Sequence, residues 1–290
     1  MPPIPRRLLI ALTGCLVILR VASGVECGHQ NLPAPVTLET RGTTVSGFAP
    51  VGDVHVYYEI HGAGEPILFI HGGGGSIAGS WPSDYVTHLS RDFRVVFADS
   101  RGHGRTADGT GPITYGRLAF DTVRLLDHLG IDRAHVVGHS MGAITGLHLL
   151  VDFPDRVRTV TLLAGAYHVD NYRPEAYADM KRELDAVISG EKLKSRWASR
   201  PVSVLKKLRD SLLNGPTFRL EVLDTIDRPT LIVAAGQDTF FAPSVAREMH
   251  GHIRGSELIV FPDATHRVQV TNVKELVPAI RDFITRRGGR

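Results

Sequence analysis

The chain has 290 residues, 43% of them hydrophobic and 22% charged. That length and composition exclude a disordered chain and leave room for a full hydrophobic core. A formal net charge of +3, from 33 basic and 30 acidic residues, gives no general case for nucleic-acid binding, and two cysteines, Cys15 and Cys27, cannot build a disulfide scaffold.

Residues 1–24 have a basic start at Arg6 and Arg7, an apolar run from Leu8 to Leu19, then Arg20 and small residues. This is the shape of an export signal, with cleavage expected near Ala22 to Gly24. The run is short for a bilayer-spanning helix. An uncleaved membrane anchor and a buried first helix are the competing readings. A lipoprotein is another, because Leu12-Thr13-Gly14-Cys15 resembles a lipobox and would leave a lipidated Cys15 at the mature N-terminus. The expected localisation is therefore exported, secreted or associated with the cell envelope. The leader's three arginines account for the whole charge excess, so the remainder is formally neutral.

Residues 25–43 read as a polar, Pro-containing linker. Short strands are expected at Thr44–Phe48 and Val54–Ile60. In the second, Val54, Val56 and Tyr58 alternate with His55, Tyr57 and Glu59. Ile67–Ile70 is apolar throughout, as an interior strand of a parallel sheet should be. The grammar then repeats. Helix Pro82–Leu89 precedes strand Arg94–Ala98, helix Tyr115–Leu129 precedes strand His135–Val137, and helix Met141–Asp152 precedes strand Val157–Leu163. Later come strand Thr230–Ala234, helix Ser244–Met249, strand Glu257–Phe261 and helix Val273–Arg286. Alternation of this kind argues for a parallel sheet covered on both faces. Residues 167–225 break the rhythm and read as several helices, an insertion placed to cap a site. The body, residues 44–290, is read as one domain carrying that insertion.

The strongest chemical signal is Gly138-His139-Ser140-Met141-Gly142. It matches G-x-S-x-G and stands between a strand and a helix, where a nucleophile elbow must stand. A serine hydroxyl needs a base to take its proton and a third group to orient that base. Asp238 and His266 follow two late strands, in the chain order Ser, Asp, His. Asp263 and Asp170 compete for the acid role, and His250 and His252 are the nearest rivals to His266. His71-Gly72-Gly73-Gly74-Gly75-Ser76 follows an interior strand. Its glycines let backbone N–H groups approach a developing oxyanion. The expected oxyanion-hole donors are Met141 N–H and Gly72 or Gly73 N–H. A phosphate-binding reading of the loop fails, since it matches neither G-x-x-x-x-G-K-[ST] nor G-x-G-x-x-G.

These residues resemble the α/β-hydrolase superfamily over about Val51 to Thr285. GHSMG matches its elbow and HGGGGS its oxyanion loop, and Asp99-Ser100-Arg101-Gly102-His103-Gly104 is similar to its D-x-R-G-x-G turn. The resemblance implies a mostly parallel eight-stranded α/β sheet with helices on both faces and an inserted helical cap. It implies Ser140 as nucleophile, Asp238 as acid and His266 as base, with Asp99 and Arg101 anchoring loops. Serine at position 140 speaks against the branches that use Asp there. The expected activity is hydrolysis of a carboxylic ester through an acyl-enzyme, acting on a small, apolar ester. Alternatives are a carbon–carbon or amide-bond hydrolase and a perhydrolase, whose branch usually carries an aromatic residue where Gly73 stands. An inactive binding protein is the reading from a different class. Neither cofactor nor metal is expected, since the 14 histidines are scattered and form no His-Glu-x-x-His. No nucleic-acid partner is expected. A membrane partner is expected only through the leader or Cys15, and the oligomeric state stays open.

Overall fold

The computed structural model describes residues 44–192, 194, 195 and 197–289. The expected leader, the linker, Cys15 and Cys27 lie outside the described residues.

β1 (Thr44–Val51) and β2 (Val54–His61) form an antiparallel hairpin turned by Gly52 and Asp53. β3 (Glu65–Ile70), β4 (Phe93–Ala98), β5 (Ala134–His139), β6 (Val157–Leu163), β7 (Thr230–Gln237) and β8 (Glu257–Thr265) follow, giving one eight-stranded sheet of order β1-β2-β4-β3-β5-β6-β7-β8. β2 runs antiparallel to β4, and every pairing from β4 to β8 is parallel. The period of two along each strand divides the core. Leu68, Ile70, Val96, Val136, Leu162 and Ile232 pack on one face of the sheet. Ile67, Phe69, Val95, Phe97, Val137 and Leu231 pack on the other.

Helices cover both faces. α1 (Ile77–Ser80) and α2 (Ser83–Leu89) follow β3, α3 (Tyr115–His128) follows β4, and α4 (Met141–Asp152) follows β5. α3 and α4 bury their apolar stripes in the first core. α2 does so in the second. Between β6 and β7 the chain inserts a helical cap of α5 (Pro174–Ile188) and α6 (Val202–Asn214), preceded and followed by short 3₁₀ turns at Val169–Asn171 and Leu220–Thr225. α7 (Pro243–His252) follows β7, and α8 (Val268–Thr271) and α9 (Val273–Arg287) follow β8. Among the described residues no helix is long and apolar enough to cross a membrane.

Three details depart from the sequence expectation. Tyr57, expected on the polar side of β2, is buried, because Phe48 packs edge-on to its ring and the Arg105 guanidinium lies over it. The four-residue helices α1 and α8 were not expected, since one turn leaves no periodicity to read. Strand β8 continues four residues past Phe261. Ala235 pairs with Phe261 but Gln237 pairs with Thr265, so β8 takes up two extra residues in a bulge. The bulge depends on Gly236, where a Cβ would lie 2.1 Å from the Pro262 carbonyl oxygen.

A buried charge network ties the loop after β4 to α3. The Arg101 side chain is fully buried and donates to both carboxylate oxygens of Asp121, at 2.8 and 3.0 Å. Asp53 of the β1–β2 turn lies 2.9 Å from the same guanidinium. Removing one member of a buried pair strands its partner's charge. Asp121→Ala is expected to lower unfolding stability by roughly 3–5 kcal/mol, read by urea denaturation. A loss below about 1 kcal/mol would mean that Arg101 finds compensation elsewhere.

Candidate active site

The site lies where β3, β5, β7 and β8 end, the edge at which open parallel sheets bind ligands. Ser140 sits between β5 and α4 with φ 53° and ψ −113°, in left-handed backbone that a serine adopts only under constraint. The constraint is close packing. A Cβ on Gly138 would lie 2.1 Å from the Gly142 carbonyl oxygen, and one on Gly142 would lie 2.1 Å from that of Ile70. The Ser140 N–H donates to the Leu163 carbonyl at 2.9 Å, and its own carbonyl accepts from Ile144 N–H at 3.0 Å. Serine at a helix N-cap ordinarily bonds the first helical turn. Here the turned backbone leaves Oγ out of capping. It lies instead 3.0 Å from His266 Nε2.

His266 follows β8, and its Nδ1–H faces both Asp238 oxygens at 3.0 Å. The Asp238 side chain is 2% exposed, and one of its oxygens also accepts the N–H groups of Phe240 and Phe241 at 2.7 and 3.2 Å. These backbone donors hold the carboxylate in place. The Nδ1–H···carboxylate bond fixes the tautomer that leaves Nε2 bare toward serine. Ser140, His266 and Asp238 thus form a Ser–His–Asp triad. Asp263 is exposed on the outside of the β8 bulge. Asp170 pairs with His168. His250 bonds Ser256, and His252 bonds Asp224. None of these four is in the triad.

Gly72 abuts the triad, since a Cβ there would meet Ser140 Cβ at 3.3 Å and His139 Nδ1 at 2.8 Å. Gly73 faces Leu212 of the cap. The Met141 N–H opens α4, where no intrahelical acceptor exists for it. Asp99 accepts from Ile77 N–H at 2.7 Å and Arg105 N–H at 2.8 Å, so it joins the loops after β3 and β4.

Three further histidines surround the site, and sequence reasoning gave them no part. The His71 Nε2 accepts from Ser100 N–H at 3.0 Å, while its Nδ1–H donates to the Gly72 carbonyl at 2.8 Å. His103 accepts from Gly74 N–H at 3.1 Å and donates to the Arg101 carbonyl at 2.9 Å. His139 donates from Nε2 to the His266 carbonyl at 2.8 Å. Burial lowers the pKa of all three, well below the ordinary value for His103 and His139, where a neighbouring histidine adds to the effect. Each is a neutral brace between backbone segments. The clue in the sequence was position: each adjoins a glycine, His71 in the loop after β3, His103 in the loop after β4 and His139 at the elbow.

The pocket above Ser140 has a volume of about 250 Å³. The cap lines it with Tyr172, Met180, Trp197 and Leu212, and Phe240 adds another apolar surface. Ser80 of α1, Arg267 and Gln269 of α8 line it with polar groups. The cap rests directly on the glycine loop. Arg200 donates to the Gly102 carbonyl at 3.3 Å and to that of Gly75 at 3.4 Å. Among the described residues no cluster of three or more His, Cys, Asp or Glu is placed to hold a metal ion.

A profile described as "alpha/beta hydrolase fold" matches residues 65–213. A putative carbamate hydrolase from Azorhizobium caulinodans is 35% identical over 214 residues, covering 66% of this chain and 80% of the relative. The dihydrolipoyllysine-residue acetyltransferase component of the acetoin cleaving system of Cupriavidus necator is 37% identical, covering 84% of this chain and 70% of the relative. The crystal structure of a hydrolase from Pseudomonas aeruginosa superposes with a TM-score of 0.67 at 25% identity, covering 82% of this chain and 98% of that one.

The neutral histidines set a pH dependence of folding. Their folded-state pKa values lie below the unfolded value, so the unfolded chain binds more protons in acid. Their contribution is complete above about pH 6.5 and declines as pH falls, by up to about 1.4 kcal/mol per pH unit for each histidine. Urea-unfolding free energies measured from neutral to mildly acidic pH are expected to show this slope. His139→Asn should reduce it by about one proton, and a slope that the substitution leaves unchanged would contradict a neutral His139.

Proposed function

The chain belongs to the α/β-hydrolase fold family and is a serine hydrolase; from that premise we propose that it cleaves a small, largely apolar carboxylic ester through an acyl-enzyme on Ser140. The observation that carries this reading is the unbroken chain from Ser140 Oγ through His266 to Asp238, with 3.0 Å at each link.

The steps follow from those contacts. Ser140 Oγ attacks the ester carbonyl as its proton passes to His266 Nε2. Asp238, nearly excluded from solvent, holds the ring and stabilises the imidazolium. The oxyanion is received by the N–H of Met141, at the positive end of the α4 dipole, and by that of Gly72 or Gly73. His266 returns the proton to the leaving alcohol. Water then repeats the sequence on the acyl-enzyme, releasing the acid and restoring the Ser140 hydroxyl. The cap side chains Tyr172, Met180, Trp197 and Leu212 favour an apolar group on the substrate.

A second reading is cleavage of a carbamate or amide by the same triad, favoured by the name of the Azorhizobium relative. With an amide His266 protonates the leaving nitrogen instead of an oxygen; with a carbamate ester that loses its alcohol it protonates oxygen, and water then hydrolyses a carbamoyl-enzyme.

We further propose that residues 1–24 direct export, supported by Arg6, Arg7, the apolar run Leu8 to Leu19 and the small residues Ala22 to Gly24. Acylation of Cys15 is the lipoprotein form of that proposal.

Ser140→Ala is expected to lower kcat on p-nitrophenyl esters by at least about ten-thousandfold with an unchanged melting temperature. Asp238→Asn should lose a comparable factor. Asp263→Asn should stay within about twofold of the parent, and a larger loss there than at Asp238 would reassign the acid. A fluorophosphonate should label Ser140 in the folded protein, and no label would reject the hydrolase mechanism. Carbamate or amide turnover exceeding that of the matched ester would favour the second reading. For export, N-terminal sequencing of protein recovered from expressing cells should find a start near residues 22–25 or an acylated Cys15. An intact Met1 in the cytosol alone would exclude it.

A further inference from the structure

The pocket has walls of two chemistries. The cap wall and Phe240 are apolar, whereas the wall formed by the one-turn helices α1 and α8 is polar. On that polar wall, Gln269 is only 2% exposed and lines the pocket that contains Ser140. Its main chain is pinned, because the buried Tyr85 hydroxyl donates to the Gln269 carbonyl at 2.9 Å. Its side-chain Oε1 has no hydrogen-bond partner among the described residues. A buried amide end without a partner destabilises the folded chain. A leucine of similar size would fill the position without that penalty. Such a group is retained at a reaction pocket when a ligand supplies the missing bond. Beside it stand Ser80, which is 5% exposed, and Arg267, whose guanidinium donates to the Gly79 carbonyl at 3.1 Å and so fastens α8 to α1.

We propose that Gln269 is a specificity-determining residue that hydrogen-bonds a hydroxyl carried by the substrate, so that the preferred ester is apolar at one end and hydroxylated at the other. This rests on the serine-hydrolase reading and narrows its substrate class. A hydroxyl fits because it serves the amide as donor or acceptor. A substrate methyl in its place would leave the amide end unsatisfied. That asymmetry is how a buried polar group rejects an isostere. The hydroxyl can sit on the acyl chain or on the alcohol, since both reach the same pocket.

The test compares two pairs of near-isosteric esters. p-Nitrophenyl β-hydroxybutyrate against p-nitrophenyl isovalerate places the difference in the acyl chain. 2-Hydroxypropyl butyrate against isobutyl butyrate places it in the alcohol. In the parent enzyme kcat/KM is expected to favour the hydroxylated member of one pair by about tenfold or more. Gln269→Leu should erase or reverse that preference through KM. It should also raise the melting temperature by a few degrees, because a buried unpartnered amide end is removed. The same esters titrated calorimetrically against Ser140→Ala and Ser140→Ala/Gln269→Leu give a readout without turnover. Hydroxyl preference in the first and its loss in the second support the proposal. Should the parent hydrolyse none of the esters while this binding preference persists, the role of Gln269 stands and the hydrolase reading fails. A selectivity that Gln269→Leu leaves unchanged in both pairs, or a parent preference for the methyl members of both, overturns the proposal.

Discussion

The site depends on one strained residue. Ser140 is held in left-handed backbone because the chain must leave β5, reverse and enter α4 without room for side chains at Gly138 or Gly142. Anchors on both sides keep it there, the Leu163 carbonyl of β6 and the first turn of α4. A left-handed non-glycine conformation is unfavourable by order 1–3 kcal/mol. In return the hydroxyl leaves its capping geometry and meets His266, while the Met141 N–H opens the helix with no intrahelical acceptor. The nucleophile and the proposed oxyanion donor thus share one turn.

The rest of the machinery is aligned to that turn by backbone. The β8 bulge brings His266 level with Asp238 by using two more residues than its partner strand, and the close approach at Gly236 makes room for it. Asp238 is set by the Phe240 and Phe241 N–H groups. Neutral histidines then join the loops to one another: His71 links the glycine loop to Ser100, His103 links Gly74 to Arg101, and His139 links the elbow to the His266 carbonyl. A charged imidazolium could not accept the N–H groups of Ser100 or Gly74, so neutrality is a condition of the bracing. Beneath them, Arg101 and Asp121 fix the loop after β4 with full charges out of solvent.

The cap closes the arrangement from above. Trp197 lies against Gly74, where a Cβ would come within 3.0 Å of its ring, and Arg200 reaches carbonyls of both Gly75 and Gly102. The insertion thus supplies the apolar wall of the pocket and also steadies the glycine loop beneath. The pocket wall and the glycine loop share these contacts.

Much of this was legible in the sequence. Uniform apolar runs such as Ile67–Ile70 marked interior strands because both faces of a parallel sheet are covered. GHSMG, Asp238 and His266 were visible because each follows a strand in the required order, and HGGGGS because glycines alone permit backbone to approach a substrate. The insertion was visible as a break in the strand–helix rhythm. Other features had no local signature. One-turn helices such as α1 and α8 carry no period, so Ser80 and Gln269 were not foreseen on the pocket wall. Tyr57 is buried by partners distant in the chain, and the neutral state of His71, His103 and His139 arises from burial that only packing creates. Sequence by itself determined which strands and turns form and which residue types can do acyl chemistry, since those rest on local sterics and periodicity. Only the tertiary structure decided that Asp238, not Asp263, meets His266 and that a polar wall faces an apolar cap. Both depend on a strand bulge and on contacts between segments far apart in the chain.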